Sequence, residues 1–175
     1  LGLMVIGMVP GPEENKVGKP FVGPAGRLLD DIFMGLDISS EDVYITNLVK
    51  CALQPGMPLK ISWIDSCLPF LISQIYLIRP KIILTLGADA TNVLIGRDLN
   101  APLSSIRGRI MKYTDDLYLI PTYHPSYLLR GGGKQHRHYN LVIKDFQNAL
   151  EIAETEMRKG VNRGPIKLSL IHISE

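Results

Sequence analysis

Short, continuously apolar runs alternate along this chain with longer segments whose apolar residues recur every three or four positions. Leu3 to Gly7 reads as a fully buried strand, Val43 to Thr46 as a second with Asn47 at its end, and Lys81 to Leu86 as a third. Leu117 to Pro121 is the fourth core strand, and Gly108 to Tyr113 is placed to pair with it. Ala25 to Leu36 carries Leu28, Leu29, Ile32 and Phe33 at helical spacing. Ile61 to Ile78 has a stripe of Leu68, Leu71, Ile72, Ile75 and Ile78, and Pro80 stops it. Ala88 to Ile95, a short turn at Ser126 to Leu129, and Tyr139 to Lys159 complete the helices; Pro10 to Pro24 is expected to be loop. Strands alternating with helices imply a mostly parallel sheet covered on both faces.

Two strand ends carry polar chemistry. Leu3 to Gly7 runs into Met8-Val9-Pro10-Gly11-Pro12-Glu13-Glu14, and Leu117 to Pro121 runs into Thr122-Tyr123-His124-Pro125-Ser126. Ligands of open α/β sheets bind beyond the carboxyl ends of strands. The two segments can therefore share one cleft, one bringing backbone N–H groups and carboxylates, the other a histidine.

Composition narrows the class. The 175 residues are 46% hydrophobic and 21% charged, as in an ordinary globular domain. No apolar run reaches the length that spans a bilayer and no signal peptide is visible, so a cytoplasmic protein without membrane contact is expected. A net charge of +2 tolerates nucleic acid as a partner without demanding it. Two cysteines make no secreted disulfide framework. Residues 1–160 are expected to form a single, monomeric domain, and residues 168–175 resemble a translated sequencing adapter, an artefactual tail.

Longer blocks carry a resemblance. They are GMVPGPEE from Gly7, GKPFVGPAGRLLD from Gly18 to Asp30, DVYITNLVKC from Asp42 to Cys51, CLPFLISQIYLIRPKIILTLG from Cys67 to Gly87, IRGR from Ile106 to Arg109, and PTYHPSYLLR from Pro121 to Arg130. In this order they resemble the uracil-DNA glycosylase superfamily, and within it the family-4 enzymes. The resemblance implies a three-layer α/β/α sandwich with a central four-stranded parallel sheet. It implies excision of uracil from DNA by cleavage of the N-glycosidic bond, and in many family-4 members a [4Fe–4S] cluster.

The same resemblance assigns roles. His124 is the histidine that faces uracil O2 and stabilises the leaving anion; by itself a strand-end histidine more often just bonds backbone. Asn47 reads uracil through one acceptor and one donor, a pattern cytosine reverses; alone, it would read as a cap. Phe21 stacks under the flipped base or anchors the core, and the two are not exclusive. Met8 and Val9 border uracil, and Pro10 and Gly11 lie along the DNA. Glu14 is the preferred carboxylate for orienting water or stabilising the cationic sugar, while Glu13 reads as solvated surface. Ser126, Leu128, Leu129 and Arg130 resemble the loop that enters DNA, with either leucine as wedge. Arg130, Lys134 and Arg137 would meet phosphates.

Two departures matter. Family-4 chains usually have Glu where Met8 stands, so the backbone N–H is kept and a carboxylate lost. Met8 followed by Pro10-Gly11 is closer to the single-strand-selective branch, and Val9 occupies the place of the water-activating aspartate of family-1 enzymes. Cys51 and Cys67, with fifteen residues between them, match the second half of the cluster-binding pattern. Its first half, a C-x2-C element, would lie upstream, so the chain reads as an N-terminally truncated piece whose intact form holds the cluster and which alone holds none. The alternative reading is a catalytically weak or inactive nucleic-acid-binding module of the same fold. A phosphate-binding α/β enzyme ranks lower, because Pro10 and Pro12 remove N–H donors from the first loop and no Walker lysine pattern follows.

Overall fold

The computed structural model describes residues 2–54 and 56–159; the proposed artefactual tail lies outside the described residues. Eleven strands and α-helices follow in chain order among them: β1 (Leu3–Gly7), α1 (Pro12–Val17), α2 (Pro24–Gly35), β2 (Val43–Asn47), α3 (Ile61–Ile78), β3 (Ile82–Leu86), α4 (Ala88–Ile95), β4 (Met111–Thr114), β5 (Leu117–Thr122), α5 (Pro125–Arg130) and α6 (Tyr139–Arg158). The sheet order is β2-β1-β3-β5-β4. The first four are parallel, and β4 adds antiparallel to the β5 edge. The sheet thus has five strands rather than the expected four. The extra one is the hairpin partner, whose half-exposed, partly polar residues lack the apolar signal of the core strands.

Side chains alternate across the sheet, as the pleat requires. Leu3, Val5, Ile82, Leu84 and Leu86 face α2 and α6, joined by Phe33, Phe146 and Ala149. Met4, Ile6, Ile83 and Leu119 face α3 and α4, joined by Ile64, Leu71, Ile75 and Leu94. The α/β/α layering therefore follows from strands that are apolar on both faces.

Two elements depart from expectation. The loop from Pro10 to Pro24 contains α1, which buries no residue and so shows no apolar period. Its end signals are intact, with Gly11 as N-cap, Pro12 in the first turn, Glu13 and Glu14 at the positive end of the dipole, and Gly18 left-handed at the C-terminus. In α3 only Ile64, Leu71 and Ile75 are buried, while Phe70, Leu77 and Ile78 are exposed. By length and composition alone this helix could also cross a membrane, contrary to the sequence expectation; here it covers one face of the sheet.

Candidate active site

The carboxyl ends of β1, β2, β3 and β5 open onto one cleft of about 1050 Å³. Met8, Val9, Pro10, Gly11, Glu14, Phe21, Asn47, His124, Ser126 and Arg130 all line it. Parallel pairing makes this meeting possible, because register sets Gly7 beside Asn47 and Leu86 beside Thr122.

Asn47 is the last residue of β2 and is buried. Its Oδ1 has no hydrogen-bond partner. A buried carbonyl left unpaired costs about 1–3 kcal/mol, so it marks a place where a donor is missing. Gly7 explains how the amide is packed: a Cβ there would lie 2.6 Å from Asn47 Oδ1 and 2.5 Å from the Phe21 ring. Only a glycine lets both side chains converge over the end of β1.

Phe21 itself has φ 54°, in the left-handed region that non-glycine residues avoid. Its carbonyl is packed against Gly26 of α2, where any Cβ would collide with it. Such strain is held by the surroundings and is a feature of functional loops. Its ring lies 5.9 Å from the His124 ring, centroid to centroid, with planes 30° apart.

His124 is the N-cap of α5. Its Nδ1 accepts from Ser126 N–H at 3.1 Å and lies 2.8 Å from Ser126 Oγ. A backbone N–H can only donate, so Nδ1 is unprotonated and the neutral ring carries its proton on Nε2. Burial first, and the Arg130 charge second, lower its pKa from 6.5 to about 4. The histidine that bonds backbone is also the one that lines the cleft.

Glu14 accepts from Gly23 N–H at 2.9 Å, so its carboxylate caps α2 while lining the cleft. Glu13 instead pairs with exposed Arg27 at 3.3 Å. Together the walls offer an aromatic face, an unpaired amide carbonyl and a neutral imidazole donor, complementary to a flat heterocycle with a polar edge.

Residues 1–147 match the family model described as the uracil DNA glycosylase superfamily. The chain belongs to this superfamily. It is 36% identical over 155 residues to the type-4 uracil-DNA glycosylase of Thermotoga maritima, covering 88% of this chain and 79% of that one. Identity to the type-4 enzyme of Sulfurisphaera tokodaii is 33%, covering 89% and 72%. To that of Saccharolobus solfataricus it is 43%, covering 71% and 60%.

As a member of the superfamily, the chain shows several features that its sequence reading left open. Leu128 is fully buried in the core and Leu129 is 39% exposed, so only the latter can enter a partner. Lys134 is paired with Asp31 at 2.9 Å and is not a free cation. The cleft also takes in Tyr123 and Tyr127, which stand in the segments noted from the sequence, and Asp89 and His138, which were not singled out there. Asp89 lies in the first turn of α4, just past β3, where the strand-end rule applied to β3 would have found it. Burial raises its pKa.

The cysteines lie outside the cleft. Cys51 is exposed and Cys67 half-buried, its Sγ accepting Lys50 N–H at 3.4 Å. A [4Fe–4S] centre takes four thiolates, and the sequence holds two cysteines. Among the described residues no group of three or more metal-ligating side chains comes together. The residues of this chain do not by themselves fit the cluster.

Proposed function

We propose that the protein is a DNA-repair glycosylase that flips uracil out of DNA and hydrolyses its N-glycosidic bond, leaving an abasic site. The observation that carries this reading is the buried, unpaired Oδ1 of Asn47 in a cleft shared with neutral His124. Uracil N3–H supplies the missing donor, and the amide N–H₂ donates to O4. Cytosine has no N3–H and would leave the carbonyl orphaned, a mismatch that discriminates strongly.

Phe21 supports the face of the flipped base. As the C1′–N1 bond breaks, its electron pair goes to the uracil ring and charge develops on O2. His124 Nε2–H donates to that oxygen without giving up its proton, and the bond strengthens as the charge grows. Water adds to C1′ and its proton passes to solvent, while uracil leaves as an anion that takes a proton from solvent after release. Glu14, fixed by Gly23, is placed to stabilise the sugar cation or orient that water. Met8 contributes backbone and an apolar wall, but no carboxylate.

Leu129, which does not line the cleft, is the wedge that fills the gap left by the base, and Arg130, on the cleft wall, meets phosphate. No step of the mechanism runs through the cluster. A binding module with no chemistry has no use for a neutral, tautomer-fixed histidine beside an unpaired amide. Uracil release from a single-uracil oligonucleotide tests the reading: an inactive, folded chain that still binds the oligonucleotide selects the binding module.

A further inference from the structure

Next to Asn47, among residues that do not line the large cleft, lies an interaction that the base-reading scheme does not use. The Lys50 side chain curls back over the end of β2, and its Nζ donates to the Asn47 backbone carbonyl at 2.6 Å, to Thr46 Oγ1 at 2.9 Å and to Gln74 Oε1 at 2.6 Å. An ammonium has three donors, and all three are spoken for. Gln74, on α3, is held in turn by donating its amide to Tyr44 Oη at 3.1 Å. At its other end, the Lys50 backbone N–H donates to Cys67 Sγ, also on α3.

We propose that Lys50 is the positioning residue of the base reader: its ammonium pins the Asn47 peptide against α3 and so fixes where the Asn47 amide points. This inference rests on the uracil reading of Asn47 and deepens it. Asn47 needs such a clamp because β2 is an edge strand and Asn47 is its last residue. Past the ladder, the backbone there is tied by Leu48 N–H to Gly7 and Val49 N–H to Met8. Those bonds hold the peptides that follow, while the Asn47 carbonyl itself is held by Lys50. Rotation of that peptide would swing the side chain off its place over Gly7. The ammonium is charged and half-buried, so each of its bonds is of the stronger, charge-assisted kind.

A small cavity of about 210 Å³, lined by Thr46, Asn47, Val49, Lys50 and Ala52, lies beside the clamp and gives the test an entry path. The experiment is a double-mutant cycle under single-turnover conditions, with Lys50→Met, Asn47→Ala and the double variant on a uracil-containing oligonucleotide. Lys50→Met is expected to lower excision about ten- to a hundred-fold in the wild-type background and less than about three-fold in the Asn47→Ala background. Binding to abasic DNA should be unchanged. Ethylammonium added to Lys50→Ala should restore excision through the cavity. Equal losses in both backgrounds, or a folded Lys50→Ala that ethylammonium does not restore, overturn the proposal. Should Lys50→Met fail to fold, the ethylammonium arm on Lys50→Ala decides. If Asn47→Ala alone costs nothing, it is the uracil reading of Asn47 that fails, and the two failures are told apart.

Discussion

His124 works neutral, and its surroundings set the pH at which it stops working. Its pKa falls from 6.5 to about 4 because the charged ring would be poorly solvated and would face Arg130. Excision should therefore hold as pH drops through 6 and fall only as it passes about 4. A half-maximal point near 6.5 in a pH–rate profile would contradict this. The same shift acts on stability. Between about 4 and 6.5 the unfolded chain binds more protons than the folded one, so stability gained from His124 is complete above 6.5 and declines as pH falls through that window. Thermal melts should show a shallower pH slope there for His124→Ala. Replacing His124 by Ala should cost about 10²–10³ in turnover, the range for a lost oxyanion donor. Gly7→Ala should abolish excision in a folded protein, because the new methyl drives Phe21 or Asn47 out of place. His124, Asn47 and Phe21 were legible in the sequence through their motifs. The unpaired Oδ1 and the strained Phe21 backbone were not, because both arise from contacts between segments distant in sequence.

At the scale of elements, the end of β5 that presents His124 is tied to α6. Thr122 Oγ1 donates to Asp145 Oδ2 at 2.6 Å, and Arg107 reaches both oxygens of Asp145 at 2.8 and 2.9 Å. Burial pushes the Asp145 carboxyl up, while Thr122 and Arg107 pull it down. Removing one partner of a buried pair strands the other, so Asp145→Ala should destabilise by about 3–5 kcal/mol in denaturant unfolding. A loss under 1 kcal/mol would show that this tie does not hold the strand end. The core strands and the long helices were readable because their apolar periods are local. The α1 helix had no period to read, and the exposed residues of α3 made its stripe look wider than the three positions it buries. Arg107 stood within a noted motif, but its partner Asp145 lies 38 residues on, and nothing local joins the two.

Across the whole molecule, a net charge of +2 gives little general attraction for DNA, so affinity must come from placed cations. Arg130 and Arg137 line the cleft, whereas Lys134 is engaged by Asp31. Arg130→Ala and Arg137→Ala should each weaken abasic-DNA binding and reduce the salt slope by about one, and Lys134→Ala should do neither. Leu129→Ala should lower excision from duplex more than from single-stranded substrate, since only the duplex leaves a gap to fill. The central claim is that the cleft of this chain excises uracil through His124 and Asn47. Its most direct test is base release from a uracil-containing oligonucleotide, read by alkaline strand scission, for the wild-type chain beside His124→Ala and Asn47→Ala. Scission by the wild type that is lost in both variants is the predicted result. A folded wild type that releases no uracil, or variants that release it as fast, would contradict the account.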